Sequence, residues 1–203
     1  MNQTIRVKDK ISSDRIIKVA PFKREVRVTK PHKHNSYFEI IYLSGGNGFH
    51  VIDSQPYKVV PPMVFFVRKE QIHYWELNAE ADGYVAIIKK KFIALSLDKE
   101  IKTLLYKLSH TQVLHLKETA TITRLFQILA QESELENTST NPIVEGLLKA
   151  LLGKLLQESI SFSRSQVPEA DLYNSFLELL SQEHQLKNNV AHLLDVLQCR
   201  SRL

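Results

Sequence analysis

The sequence predicts an α+β chain, a small β-barrel followed by helices. Two observations carry this expectation. Before residue 90, short β-branched and aromatic runs alternate with turn residues, and most of the glycines and prolines lie there. After residue 90 the chain is rich in Leu, Glu, Gln and Lys, and its apolar residues recur with helical period. Many short strands at this spacing suggest a sandwich or barrel rather than a βαβ fold.

A basic segment comes first. Residues 1–34 hold ten Lys/Arg and three Asp/Glu, whereas the rest of the chain holds 17 and 19. The formal net charge of +5 is therefore a property of this segment. Weak strands are expected at Ile16–Val19 and Glu25–Val28, and a strong one at Phe38–Leu43. Ser44 to Gly48 reads as a hairpin turn, because its glycines adopt positive φ at little cost, with Phe49–Ile52 as the return strand. Asp53-Ser54 marks the next turn and Tyr57–Val60 the next strand. Pro61-Pro62 interrupts, since proline removes ladder donors. Met63–Val67, His73–Leu77 and Tyr84–Ile88 complete the series. Lys89-Lys90-Lys91 reads as a solvated junction.

The helices follow. Phe92–Leu108 is expected to be helical, with a break. Ile122, Leu125, Phe126 and Leu129 define one apolar face, and Glu132–Ser139 reads as a polar loop. Asn141 can cap and Pro142 can open a helix over 142–160, a rod of roughly 28 Å. Its apolar surface (Val144, Leu147, Leu148, Leu151, Leu152, Leu155, Leu156) is wide. It suits a second subunit, making this a dimerisation helix, or burial among neighbouring helices of one subunit. Ser161–Gln166 reads as a linker. Pro168 then opens a helix with Leu172, Phe176, Leu179 and Leu180, and Asn188-Asn189 opens a last one with Val190, Leu193, Leu194 and Leu197. The expected divisions are 1–88, 89–162 and 163–203.

Composition narrows the function. A lone cysteine, Cys199, excludes an internal disulfide and a multi-thiolate zinc site, and it suits a reducing compartment. No apolar run approaches the roughly 20 residues that span a bilayer. The polar N-terminus lacks a signal region, so a cytoplasmic protein is expected. No G-x-S-x-G nucleophile motif and no phosphate loop occur, and nothing calls for an enzyme.

The chemistry concentrates in PHKHNSYFEIIYLSGG, residues 31–46. His32 and His34 share one side of a strand. Glu39 follows, and His73 lies on a later strand. Three imidazoles and a carboxylate suit a divalent first-row metal such as Fe, Mn, Ni or Zn. The spacing H-x-H-x4-E-x6-G from His32 to Gly46 resembles the first cupin motif. That resemblance implies a double-stranded β-helix, with His32, His34, Glu39 and His73 as metal ligands. The chain departs from the cupin pattern at Val26, Pro62, Arg68, Glu70 and Asn78, so the second motif survives mainly as its histidine.

A broader resemblance covers nearly the whole chain. The H-x-H pair, the strand after Glu39, the glycine turn, the later Gln71-x-His73 and Ala81–Tyr84 are similar to the sensor domain of AraC-type transcription regulators. Residues 176–198 resemble the opening of that family's helix-turn-helix domain, with Val190, Ala191 and Leu197 matching and Leu194 in place of a small residue. After Leu197 the pattern fails, and an incomplete DNA-binding domain is expected. The resemblance implies effector sensing, a homodimer and a basic N-terminal arm. DNA contact would come only through a complete C-terminal domain. His32, His34, Glu39, Tyr42, His73 and Trp75 are the candidate effector-binding residues. The alternative is a metal-dependent cupin enzyme of isomerase or dioxygenase type.

Overall fold

Successive strands of this chain alternate between two sheets. The computed structural model describes residues 5–135 and 141–166. Its strands are β1 (Arg6–Val7), β2 (Ile17–Pro21), β3 (His32–Lys33), β4 (Tyr37–Gly45), β5 (Gly48–Ile52), β6 (Gln55–Val59), β7 (Met63–Val67), β8 (His73–Leu77), β9 (Asp82–Lys89) and β10 (Val113–His115). The helices are α1 (Lys90–Leu95), α2 (Lys99–Ser109), α3 (Ala120–Leu135) and α4 (Pro142–Gln166). One sheet runs β1-β3-β8-β5-β6 and the other β10-β7-β4-β9-β2. Among the described residues no strand pairing joins the two, so the expected closed barrel is an open pair of facing sheets.

Residues 44–48 do not form the predicted hairpin. β4 pairs with β7 and β9, whereas β5 pairs with β6 and β8. The glycine turn is therefore a corner that carries the chain from one sheet to the other. Gly48 sits at φ +128°, and a Cβ there would collide with the Glu76 carbonyl oxygen and Leu77 Cα. A true hairpin follows at Asp53-Ser54, where both residues have positive φ and Ile52 faces Gln55.

Period-two alternation on β4 and β7 sorts two cores. Ile41, Leu43, Met63, Phe65 and Val67 face the other sheet, where Ile52, Val59, Trp75 and Leu77 meet them. Ile40, Tyr42, Val64 and Phe66 face outward onto the helices, against Phe126, Leu129, Leu148, Leu151 and Leu152. Sheet and helices thus share one core, within a packing unit that runs Met1–Glu158. The second unit, Ser159–Leu203, is described only through the end of α4.

Several elements differ from expectation for local reasons. α3 continues through Leu135, because Ser133 Oγ turns inward and accepts from Val19 N at 3.2 Å. Residues 161–166 are the end of α4 rather than a linker. Asn141 does cap α4, its Oδ1 accepting from Ile143 N at 2.8 Å. Lys89 is buried, not solvated, and its Nζ donates to Ser12 O at 2.6 Å. Glu25–Val28 forms no strand, only a bridge from Val28 to Glu76. The apolar side of α4 is mostly covered within the chain: Val144, Leu148, Leu151, Leu152 and Leu155 are all buried. The expected helices after Pro168, with Val190, Leu197 and Cys199, lie outside the described residues.

Candidate functional site

The predicted histidines converge. β3 and β8 pair antiparallel with His32 opposite His73, which puts both rings on the same inner face. His34, two residues on, points the same way. β4 supplies Glu39, held in register between Val67 of β7 and Ile87 of β9. All four side chains are buried. Ligand atoms of His32, His34 and His73 lie within 4.8 Å of one another. Donors sharing one ion at about 2.0–2.1 Å stand roughly 3–4 Å apart, so this triad is close to the size of a metal site.

The strand pattern hid one member. His50 on β5 is fully buried and its Nε2 lies 2.9 Å from His73 Nδ1. Its ring stacks on Trp75 with centroids 3.6 Å apart and a 7° interplanar angle. Sequence reasoning passed over His50 because it lies outside the H-x-H motif. Its parity with Ile52, which faces the inner core, was the available signal.

Hydrogen bonds assign the protons. His32 Nδ1 lies 2.8 Å from Lys30 O, and His34 Nδ1 lies 2.6 Å from Lys8 O. A carbonyl only accepts, so each Nδ1 carries the proton and each Nε2 presents a lone pair. His34 Nε2 is 2.8 Å from His73 Nε2, so His73 is the donor there. His73 Nδ1 then accepts from His50 Nε2–H, leaving His50 Nδ1 as a bare acceptor. For all three Nε2 atoms to offer lone pairs, His73 moves its proton to Nδ1 and donates to His50, which moves its own to Nδ1. Each candidate ligand then has an outer partner for its second nitrogen, as metal-bound imidazoles require.

Three buried polar atoms around this point accept no well-aligned hydrogen bond among the described residues: His32 Nε2, Glu39 Oε1 and His50 Nδ1. Leaving such an atom unsatisfied costs about 1–3 kcal/mol. Glu39 Oε1 has the Lys10 ammonium 3.0 Å away, and His50 Nδ1 lies outside the triad, so His32 Nε2 is the lone pair that a cation among the three imidazoles would satisfy.

Burial keeps His32, His50 and His73 neutral. Burial lowers His32 to about 4 and His73 to about 2, and burial with His73 alongside lowers His50 well below its usual value. Burial alone would raise the Glu39 carboxyl. The Lys10 ammonium beside it opposes this and holds Glu39 ionised, well below the usual carboxylate range. Burial and the nearby Glu39 charge push Tyr37 up.

Of the two aromatic residues predicted to bind effector, one sits elsewhere in the packing and the other is already enclosed. Tyr42 lies on the helix-facing side of β4, stacked on Phe126 with its hydroxyl 2.9 Å from Thr123 Oγ1. Three positions after Glu39, it has the opposite parity. Trp75 does lie beside the cluster, but His50 covers one face and Phe22 and Phe65 meet it edge-on. Gln71 is structural. Its Oε1 accepts from Arg68 N at 2.8 Å and its Nε2 donates to Asp53 Oδ2 at 2.7 Å, which fixes the β7–β8 turn.

Residues 23–165 match the AraC-like ligand binding domain family. The chain belongs to this family. Among curated AraC-type relatives, the transcriptional activator RhaS of Escherichia coli O81 is 39% identical over 46 residues, 23% of this chain and 16% of that protein. RhaS of Escherichia fergusonii is 37% identical over 68 residues, 32% of this chain and 24% of that protein. This chain thus spans less than a quarter of the length of these relatives. A crystal structure of ToxT from Vibrio cholerae aligns over 90% of this chain and 70% of that one, with 11% identity and a TM-score of 0.43. Among the described residues of this AraC-like domain, no helix is long and apolar enough to cross a membrane.

Proposed function

We propose that this AraC-like domain is the sensing part of a cytoplasmic transcription regulator, and that its effector is a divalent transition metal. His32, His34 and His73 would hold the ion through Nε2, with Glu39 supplying negative charge. The single observation that carries this is the buried triad, its ligand atoms within 4.8 Å of one another and His32 Nε2 without a hydrogen-bond partner among the described residues. The packing beside it supports an ion over an organic effector, because Trp75 is already enclosed by aromatic neighbours. Family membership favours a regulator over a metal-dependent cupin enzyme.

The protein's residues would do three things. Lys30 and Lys8 carbonyls orient two of the imidazoles, and His50 orients the third. The apolar layer between the sheets excludes water. Glu39 stays ionised and balances charge. A bound ion would supply a compact positive charge that reorders these contacts, and that difference in affinity between two arrangements is what a sensor requires. Homodimerisation through the 142–160 helix and DNA contact through a complete C-terminal domain belong to this proposal.

Elemental analysis of the purified protein tests it. About one Fe, Mn, Ni or Zn per chain is expected, lost in His32→Ala. A fully folded protein that takes up none of these ions on titration would overturn it.

A further inference from the structure

Lys10 stands at the mouth of the histidine cluster. Its Nζ donates to Glu39 Oε2 at 3.1 Å and lies 3.0 Å from Oε1. The lysine side chain is 26% exposed, whereas that of Glu39 is 0% exposed. A cation therefore reaches in from the rim onto a buried carboxylate. The same carboxylate faces the triad, with Oε1 3.6 Å from His34 Nε2 and Oε2 3.9 Å from His73 Nε2. Lys10 belongs to a segment folded over the site. Lys8 N donates to Lys33 O at 3.0 Å, Lys10 N donates to Tyr37 Oη at 3.1 Å, and Ile11 packs on Tyr37 and Ile87.

We infer that Lys10 is a tethered competitor for the cation site: its ammonium supplies the positive charge beside Glu39 in the free protein, and a bound divalent ion expels it and loosens residues 8–11. This rests on the metal reading above. A buried carboxylate needs a cation nearby. An ammonium and a divalent ion on one carboxylate repel each other strongly in a poorly screened site. Lys10 is the cation that can leave, because it sits at the rim with its side chain part-exposed and can swing the ammonium into water. Lys8 O is bonded to His34 Nδ1, so the backbone that carries Lys10 touches a candidate ligand directly. Ion occupancy is thereby converted into a change in the N-terminal segment, where another part of a regulator can read it.

The test uses the full chain with Zn²⁺ as probe. Titration calorimetry should show Lys10→Met, which keeps the stem and removes the charge, binding Zn²⁺ at least about tenfold more tightly than wild type. Lys10→Arg, which keeps the charge, should stay near wild type. In wild type, hydrogen exchange of the peptide covering residues 5–12 should speed up on adding Zn²⁺, a readout independent of any variant's folding. Equal or weaker binding by Lys10→Met, with wild type still binding one ion that His32→Ala loses, would overturn the competition and leave the metal reading standing. Unchanged exchange with the ion bound would overturn the displacement. No binding by any of these proteins would overturn both.

Discussion

Three imidazoles kept neutral by burial make a pH prediction. Unfolded histidines titrate near 6.5, whereas His32 is lowered to about 4, His73 to about 2 and His50 well below its usual value. Between pH 6.5 and 4 the unfolded chain takes up protons that the folded chain refuses, so stability of the metal-free protein falls as pH falls. Glu39 adds to the loss below about 4.5, because its ionised form is favoured in the fold and its stabilising share disappears as it protonates. Urea midpoints measured across this range should fall steadily, and His32→Gln should flatten the slope by about 1.4 kcal/mol per pH unit. A midpoint independent of pH would contradict the buried, neutral cluster. At this scale the candidate site was legible in part. His32, His34, Glu39 and His73 followed from spacing, because an H-x-H pair on a strand shares a face. His50 and Lys10 did not, because each reaches the cluster from a separate strand or segment whose approach no local spacing encodes.

The corner between β4 and β5 and the helix α4 make contrasting demands on glycine. Gly48 lies at a positive φ against backbone atoms of β8, whereas Gly146 on α4 is exposed, with no other group within 4 Å of its would-be Cβ. Gly48→Ala should cost at least about 2 kcal/mol, since strain and collision add. Gly146→Ala should stabilise by about 0.5–1 kcal/mol, because alanine loses less backbone entropy in a helix. Thermal unfolding of the two variants should move in opposite directions. Most strands were legible in the chain, and Met63–Val67 and His73–Leu77 have the expected ends. The glycine turn was legible as a turn and not as a corner, because β4 pairs with β7 and β9 and β5 with β8, strands distant in the sequence. β10 was missed because three residues carry too little periodicity, and it forms only by pairing with β7.

The two sheets and the helices of the Met1–Glu158 unit are organised around β4. Its inward residues line the histidine cluster and the inter-sheet core, and its outward residues hold α3 and α4. A change in the cluster therefore acts on the same strand that the helices grip, a physical link from site to helical surface. After internal burial, α4 still shows Ile143 exposed and Leu147 half-buried. Sedimentation of the purified chain at micromolar concentration should give a dimer if α4 is an interface. A monomer under those conditions would remove the 142–160 helix from that role and leave its apolar side as core alone.

Taken by itself, the sequence determined the class of element at most positions, the α+β order and the identity of four clustered polar residues. These depend on period, turn chemistry and spacing, which are local. The tertiary structure alone decided that the sheets stay open, that Tyr42 turns to the helices, that His50 completes the imidazole chain and that Lys10 reaches Glu39. Each of these depends on which strands become neighbours and on which charge a buried carboxylate finds within hydrogen-bonding reach. Such pairings are settled by the packing of distant segments, and no local pattern in the chain carries them.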